Sequence, residues 1–588
     1  MTDESSDHVT DDGPAAAVMA WAGGGDSAPS GVIEVTATGE AAEAVRRHVP
    51  TLVEESFASR LFGQDATLWG PDAEPEASKR LSWVGLARSS RPLVGEIAAL
   101  RDELTAAGVD HVVLAGMGGS SLAPEVICAT AGRPLTVLDS SDPDYVRAAL
   151  ADRLERTVVV VSSKSGSTVE TDSQRRAYTQ AFTDAGIDPA GRIVVVTDPG
   201  SPLEASAREA GQRVVLADPD VGGRYSALTA FGLVPSGLAG VDVGALLDDA
   251  EAVTDLLADD GEGNPALVLG AALAGVDPRA ASGRRDKIVL VPDGTPIDGF
   301  SDWAEQLVAE STGKQGTGLL PVAVDGPQAP ELSDPAPDVL PVHLVAVADD
   351  SAAGDDVAQG DAGEATAADA GGDVAASVTV GGSLGAMMLL WEAATAVAGR
   401  LLGINPFDQP DVESAKKAAR GLLEGSPDPS EPAFVDGGIE VRGTAGLLDG
   451  VSDLSGAVAA LLDRLDPHQG YLAVMAYLDR ADQADLAGVR PELARRTHRP
   501  TTFGWGPRFL HSTGQYHKGG PATGVYLQVT GSPAADLAVP GQQFSFGDLI
   551  AAQAAGDAQV LADHGRPVLR LHLTDRTEGV RRLLEVLQ

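Results

Sequence analysis

The sequence predicts an α/β fold of two doubly wound parallel-sheet domains, with a helical N-terminal extension and a C-terminal segment. Short apolar runs alternate with amphipathic helical segments from about residue 110 onward. These runs are apolar on both faces, as strands are when helices cover each side of a parallel sheet. The length, 588 residues, exceeds what one core supports, and 43% hydrophobic residues are ample for globular folding.

Residues 1–30 are polar, acidic and spotted with Gly and Pro, and are expected to be disordered. Helical periodicity follows in EAAEAVRRHVPTLVEESFASRLF and RPLVGEIAALRDELTAAG, so residues 1–80 are read as a disordered start and a helical extension. A first domain spans 81–260, with strands in HVVLAG (111–116), PLTVLD (134–139), TVVVVSS (157–163), RIVVVTD (192–198) and RVVLAD (213–218). A second domain spans 261–500, with strands in KIVLVPD (287–293), GLLPVAV (318–324), LPVHLVAVAD (340–349) and GYLAVMAYL (470–478). It is interrupted at 349–373 by a low-complexity stretch of eight acidic and no basic residues, expected to be a solvated insertion. Residues 501–588 are read as a site loop and a closing helix, EGVRRLLEVLQ.

Composition excludes some functions. With 85 acidic and 42 basic residues the net charge is −43, which excludes nucleic-acid binding driven by phosphate neutralisation. The single cysteine, Cys128, follows Val126 and Ile127 and reads as a small buried hydrophobe; no internal disulfide is possible. The opening MTDESSDHVTDD has neither a basic n-region nor an apolar h-region, so no signal peptide is expected. No apolar run approaches the ~20 residues that span a bilayer, so no membrane partner and a cytoplasmic location are expected.

Two stretches carry chemistry. In HVVLAGMGGSSLAP (111–124) a strand ends in Gly-x-Gly-Gly-Ser-Ser before a helix, an arrangement in which main-chain N–H groups and the helix dipole attract an anion. It lacks the Gly-Lys-Ser/Thr ending of a Walker A loop and the GxGxxG spacing. In VVVVSSKSGSTVETD (158–172) another strand ends in hydroxyls and one lysine. Ligands of open α/β sheets bind at the carboxyl ends of strands, so both turns belong at one sheet edge. Hydroxyl and N–H donors without a ribose reader suit a phosphorylated small molecule.

Together these turns resemble the sugar-isomerase (SIS) fold of phosphosugar isomerases. VGGRYSALTAFGLVP (221–235), WAEQLVAESTGKQGTGLLPV (303–322) and GINPFDQPDVESAKKAAR (403–420) are similar, in family order, to segments of glucose-6-phosphate isomerases. FGWGPRFLHSTGQYHKGGPATGVYLQVT (503–530) resembles the ending shared by actinobacterial-type enzymes and the isomerase half of transaldolase–isomerase fusions. Only about 80 residues precede the first domain, too few for a transaldolase barrel of ~250.

The resemblance implies two SIS domains and a cofactor-free, metal-free aldose–ketose isomerisation of glucose 6-phosphate and fructose 6-phosphate, in glycolysis and gluconeogenesis. The chemistry moves a proton between C1 and C2 and needs a base that reaches both, plus stabilisation of a developing oxyanion. Carried over by motif, Glu310 is the base and Arg224 steadies the enediolate. Lys416 assists ring opening beside a histidine, with Lys417 as the adjacent decoy. Gly119, Ser120, Ser163, Lys164, Ser165 and Thr168 bind the phosphate, with Gln409 near it. The histidine departs from the family pattern: the one between Glu310 and Lys416 is His343, in an apolar strand, and the equivalents are His511 and His517, between which the sequence does not choose. In the family this histidine comes from a partner subunit, which implies a homodimer with shared sites. Two other readings are a dual phosphoglucose/phosphomannose isomerase and a non-catalytic sugar-phosphate sensor. The sensor predicts a DNA-binding domain or a lost base, and the sequence has neither.

Overall fold

In a computed structural model the described residues are 32–275, 285–347, 375–411, 421–423 and 431–587. The stretch 1–30, the acidic insertion 349–373 and Lys416 lie outside them.

The described strands form three sheets. β1 (Ile33–Thr38) alternates buried and half-buried residues, the period-two signature of a strand with one covered face. It caps the second sheet by running antiparallel to β10 (Ser377–Gly382). The expected N-terminal extension is therefore a strand followed by helices, beginning with Gly39–Glu54.

The first sheet contains β2 (His111–Gly116), β3 (Thr136–Leu138), β4 (Thr157–Ser162), β5 (Ile193–Thr197) and β6 (Arg213–Leu216). Its order is β3-β2-β4-β5-β6, all parallel. Every residue of β2, β4 and β5 is buried, which is why these runs are continuously apolar. The second sheet joins β1 and β10 to β7 (Lys287–Pro292), β8 (Leu320–Ala323) and β9 (Val339–Val345) in the order β1-β10-β9-β7-β8, parallel except at β1. His343, on β9, is bonded through Nδ1 to Asp293 Oδ2 at 3.0 Å.

The helix Leu384–Leu402 is apolar and long enough to cross a membrane, but its surface is covered by the helices Val243–Leu257 and Pro265–Ala274. Gly270 permits the close crossing: a Cβ there would lie 2.5 Å from Val397 Cβ. Cys128 is buried in the helix Leu122–Thr130, and burial pushes its thiol up to about 12.

The C-terminal third differs from expectation. β11 (Phe434–Asp436), β12 (Ile439–Gly443), β13 (Tyr471–Tyr477), β14 (Thr501–Trp505), β15 (Gly524–Gly531) and β16 (Val568–Leu573) form a third sheet, ordered β11-β12-β16-β15-β13-β14. GYLAVMAYL is thus the buried strand β13, paired with β14 and β15 and not with the second sheet. A fully apolar run satisfies the middle of either sheet, and only the long-range pairing decides. Residues 431–587 accordingly form an α/β unit of their own, with the helices Phe546–Asp563 and Arg576–Leu587.

Candidate functional site

The site starts from two neighbouring strand ends. β2 and β4 pair so that Gly116 stands opposite Ser162, which places the turns 117–121 and 163–168 side by side at the carboxyl edge of the first sheet. Ser120 and Ser163 are buried. Ser163 Oγ donates to Thr168 Oγ1 at 3.1 Å, and the hydroxyls of Ser165 and Ser167 share a bond of 2.8 Å. Ser121 and Thr168 precede the helices Leu122–Thr130 and Val169–Asp184 without capping them through their side chains, so neither helix start is closed by its own cap residue.

Lys164 behaves differently from its neighbours. Its ammonium is engaged by Asp198 Oδ2 at 2.6 Å and by the Pro219 carbonyl at 3.1 Å. Asp198 lies just past the end of β5, next to β4, so strand order turns this lysine along the edge.

Gly119 joins the phosphate-type turn to the Gly-Gly-Arg segment. A Cβ at Gly119 would sit 1.9 Å from the Gly223 oxygen, so only glycine permits this contact. The next residue, Arg224, is buried and spans two units. Its Nε donates to Ser311 Oγ at 2.8 Å, Nη1 to Gln409 Oε1 at 3.0 Å, and Nη2 to the carbonyls of Pro406 at 2.6 Å and Asp408 at 3.0 Å. Nη1 also lies 3.7 Å from Glu310 Oε1.

Glu310 projects from the last turns of the helix Phe300–Thr312 and is 5% exposed. Gln306, one turn earlier on the same face, donates Nε2 to Glu310 Oε2 at 3.2 Å and to the His511 carbonyl at 2.6 Å. Lys314 anchors the 405–408 segment, bonding the carbonyls of Asn405 and Asp408 and the Asp408 carboxylate at 2.6–2.8 Å. Burial first, then the Arg224 charge, brings its ammonium down to about 8.

The two histidines separate. His511 Nε2 is 3.1 Å from Glu170 Oε1, and its Cβ would lie 2.9 Å from a Cβ at Gly118, so it abuts the first turn directly. Glu170 also accepts from Gln553 Nε2 at 2.7 Å. His517 is 3% exposed, lies 6.0 Å from Tyr471 and 5.3 Å from Tyr526 between ring centroids, and its Nε2 has no partner among the described residues. Burial, then the charges of Lys518 and Arg566, holds its imidazole well below the usual range. Between them Gln515 donates to the Gly313 carbonyl at 2.9 Å and accepts from the Asp411 amide at 3.0 Å.

The sequence-derived residues Gly119, Ser120, Ser163, Ser165, Thr168, Arg224, Glu310, Gln409 and His511 fall within this connected network or its adjoining turn; Lys164 and His517 point elsewhere. Glu170, Gln306, Ser311, Lys314, Gln515 and Gln553 were missed. The spacing of Gln306 before Glu310, i to i+4 on a helix, was a usable signal for the first of these. A cavity of about 520 Å³ lies beyond the other face of the same helix, against Asp302, Glu305 and Arg508, and includes neither Glu310 nor the hydroxyl turns. Among the described residues no three His, Cys, Asp or Glu side chains are placed to hold a metal ion.

A carboxylate flanked by a guanidinium, a histidine paired with a second carboxylate and an adjoining hydroxyl-rich turn together suit proton transfer on a phosphorylated substrate. Residues 97–323 match the family model described as phosphoglucose isomerase. The chain is 30% identical to a probable glucose-6-phosphate isomerase from Haloarcula marismortui, over 56% of this chain and 81% of that one. It is 31% identical to another so named from Natronomonas pharaonis, over 61% of this chain and 90% of that one. In fold it resembles the crystal structure of a glucose-6-phosphate isomerase from Chlamydia trachomatis, with TM-score 0.51 and 20% identity over 66% of this chain and 88% of that one.

Proposed function

The chain belongs to the glucose-6-phosphate isomerase family and interconverts glucose 6-phosphate and fructose 6-phosphate; we propose that it does so with Glu310 as the base, Arg224 as the enediolate stabiliser and His511, with Lys416, as the ring opener. The observation that carries this reading is the environment of Glu310, whose carboxylate is approached by Arg224 and is bridged by the Gln306 amide to the main-chain carbonyl of His511.

The substrate phosphate is held by the main-chain and hydroxyl donors of Gly119, Ser120, Ser163, Ser165 and Thr168. Lys164 supports this loop through Asp198, and Gln409 is tied to it through Arg224. In ring opening His511 delivers a proton to the ring oxygen while the C1 hydroxyl releases one to solvent, from which His511 is reprotonated, and this yields the open aldehyde. Glu310 then takes the C2 proton and returns it to C1, and the O2 proton moves to O1, so the count of protons closes. Arg224 faces the charge that develops between these steps. The Glu170 carboxylate holds the His511 imidazole and favours its proton on Nε2, which leaves Nδ1 as the exchanging nitrogen. His517 has no part in this scheme.

The stretch 503–530 supports placing the chain with the actinobacterial-type enzymes, and its one-cysteine, strongly acidic composition supports a cytoplasmic location. The test couples glucose 6-phosphate formation from fructose 6-phosphate to dehydrogenase-linked NADPH absorbance. Glu310→Gln is expected to lower kcat by ~10²–10⁴-fold with little change in KM. A folded Glu310→Gln protein with wild-type turnover overturns the assignment of the base.

A further inference from the structure

Lys314 stands four residues after Glu310, just past the end of the helix Phe300–Thr312, and it is fully buried. A lysine ammonium has three N–H donors and no acceptor. Here it meets three oxygens: the Asn405 carbonyl at 2.8 Å, the Asp408 carbonyl at 2.6 Å and Asp408 Oδ1 at 2.7 Å. All three bonds go to one short segment, 405–408.

Arg224 holds the same segment. Its Nη2 donates to the carbonyls of Pro406 and Asp408, at 2.6 and 3.0 Å, and its Nη1 to Gln409 Oε1 at 3.0 Å. The Asp408 carbonyl therefore accepts from both cations. Two like charges that share one carbonyl repel each other, and the Asp408 and Glu310 carboxylates offset that repulsion.

From this geometry we propose that Lys314 is a positioning residue for the isomerisation: through the segment 405–409 it fixes the place of the Arg224 guanidinium, and it does so as an ammonium. This rests on the isomerase reading above, in which Arg224 faces the developing enediolate. Without the proton, Nζ keeps two donors and turns a lone pair toward one of its three oxygens, so a bond gives way to a repulsion. The segment then shifts, and Arg224 shifts with it, because three of its four hydrogen bonds end on Pro406, Asp408 and Gln409.

The charges acting on Lys314 are those of Arg224, Asp408 and Glu310. The helix Gly514–Gly519 packs close by, with Tyr516 against Gly313, but its charged groups turn elsewhere. Lys518 meets Asp557 at 2.5 Å and the His517 ring lies against Tyr471, while Asp411 is taken by Gln515 Nε2 at 2.7 Å. With the ammonium brought down to about 8, its loss falls inside an ordinary pH–rate profile.

The test follows kcat and KM for fructose 6-phosphate across this pH range, with the coupling enzyme in excess at every pH and circular dichroism to confirm folding. Wild-type activity is expected to fall as pH rises through about 8, where the amine loses its proton. Lys314→Met is expected to lower kcat by ~10–10²-fold with KM within about threefold, and to abolish that fall. Asp408→Asn removes the carboxylate that favours the ammonium, so the fall is expected to move to lower pH. A folded Lys314→Met protein with wild-type kcat, or either variant whose activity falls at the wild-type pH, overturns the inference. So does a wild-type profile that stays flat through this range. If Lys314→Met does not fold, the direction of the Asp408→Asn shift decides alone. Wild-type protein without isomerase turnover would instead refute the underlying function.

Discussion

Gly119→Ala isolates the contact that couples the phosphate turn to Arg224. The added methyl would start 1.9 Å from the Gly223 oxygen, 2.4 Å from its carbonyl carbon and 3.0 Å from the Arg224 nitrogen. All three are main-chain atoms, so no side chain can swing away. Reaching even a 3.0 Å separation requires the two turns to part by about 1.1 Å, the difference from 1.9 Å. Overpacking of this kind costs about 1–3 kcal/mol in stability. The functional cost is larger, because the displaced backbone carries Arg224, whose guanidinium is fixed by four bonds to Ser311, Gln409, Pro406 and Asp408. A misplacement of ~1 Å at a reacting centre costs on the order of 10²-fold in rate. The coupled assay for kcat/KM, with urea unfolding on the same samples, reads both effects. Gly222→Ala is the control, since a Cβ there meets nothing nearer than Tyr225 at 3.8 Å. A Gly119→Ala protein that keeps kcat/KM within about threefold of wild type would refute the claim that this contact sets Arg224.

Two further outcomes follow from burial. His511→Asn should lower kcat by ~10²-fold or more, whereas His517→Asn should shift the thermal midpoint and leave kcat within a few fold, as measured on matched preparations. Glu392 is fully buried in the Leu384–Leu402 helix, neither carboxylate oxygen has a partner among the described residues, and burial holds its carboxyl well above the usual range. Below the usual carboxylate value both folded and unfolded chains keep that proton and nothing is lost. Above it only the unfolded chain releases the proton, so stability falls by up to about 1.4 kcal/mol per pH unit until the folded value is reached. Glu392→Gln removes that slope, so its urea midpoint should gain on wild type as pH rises from 5 to 7.5; parallel profiles would refute the reading.

What was legible in the sequence follows from how locally each feature is determined. The first sheet was readable because β2, β4 and β5 are covered on both faces and their ends carry the chemistry. Glu310 and Arg224 were readable as motifs, since each sits in a short segment that keeps its register. The third sheet was not, because the apolar run of β13 is equally suited to either neighbour. Lys164 reads as a phosphate donor within its own loop, and nothing local reveals that Asp198, one strand over, takes its ammonium. For His511 and His517 the local sequence is the same Gly-rich stretch. They part because a tight turn ends at His511 and the short helix Gly514–Gly519 carries His517 back among the tyrosines.

The placement of Glu170 ties the two halves of the mechanism together. Thr168 ends the hydroxyl loop, and Glu170 lies two residues later, in the first turn of the helix Val169–Asp184. One rigid helical turn therefore carries both a phosphate-type anchor and the carboxylate that holds His511. In the proposed mechanism the phosphate is bound at one end of the sugar and the ring is opened toward the other, so this turn fixes the distance between the two events. Two carboxylates then divide the work by their partners. Glu310, which faces a guanidinium at 3.7 Å, is the base in the proposed mechanism. Glu170 meets an imidazole and an amide, and in the proposed mechanism it orients the imidazole. In the proposed mechanism the same residue type thus carries two roles, and the partners in each environment, a guanidinium for one and an imidazole for the other, separate them.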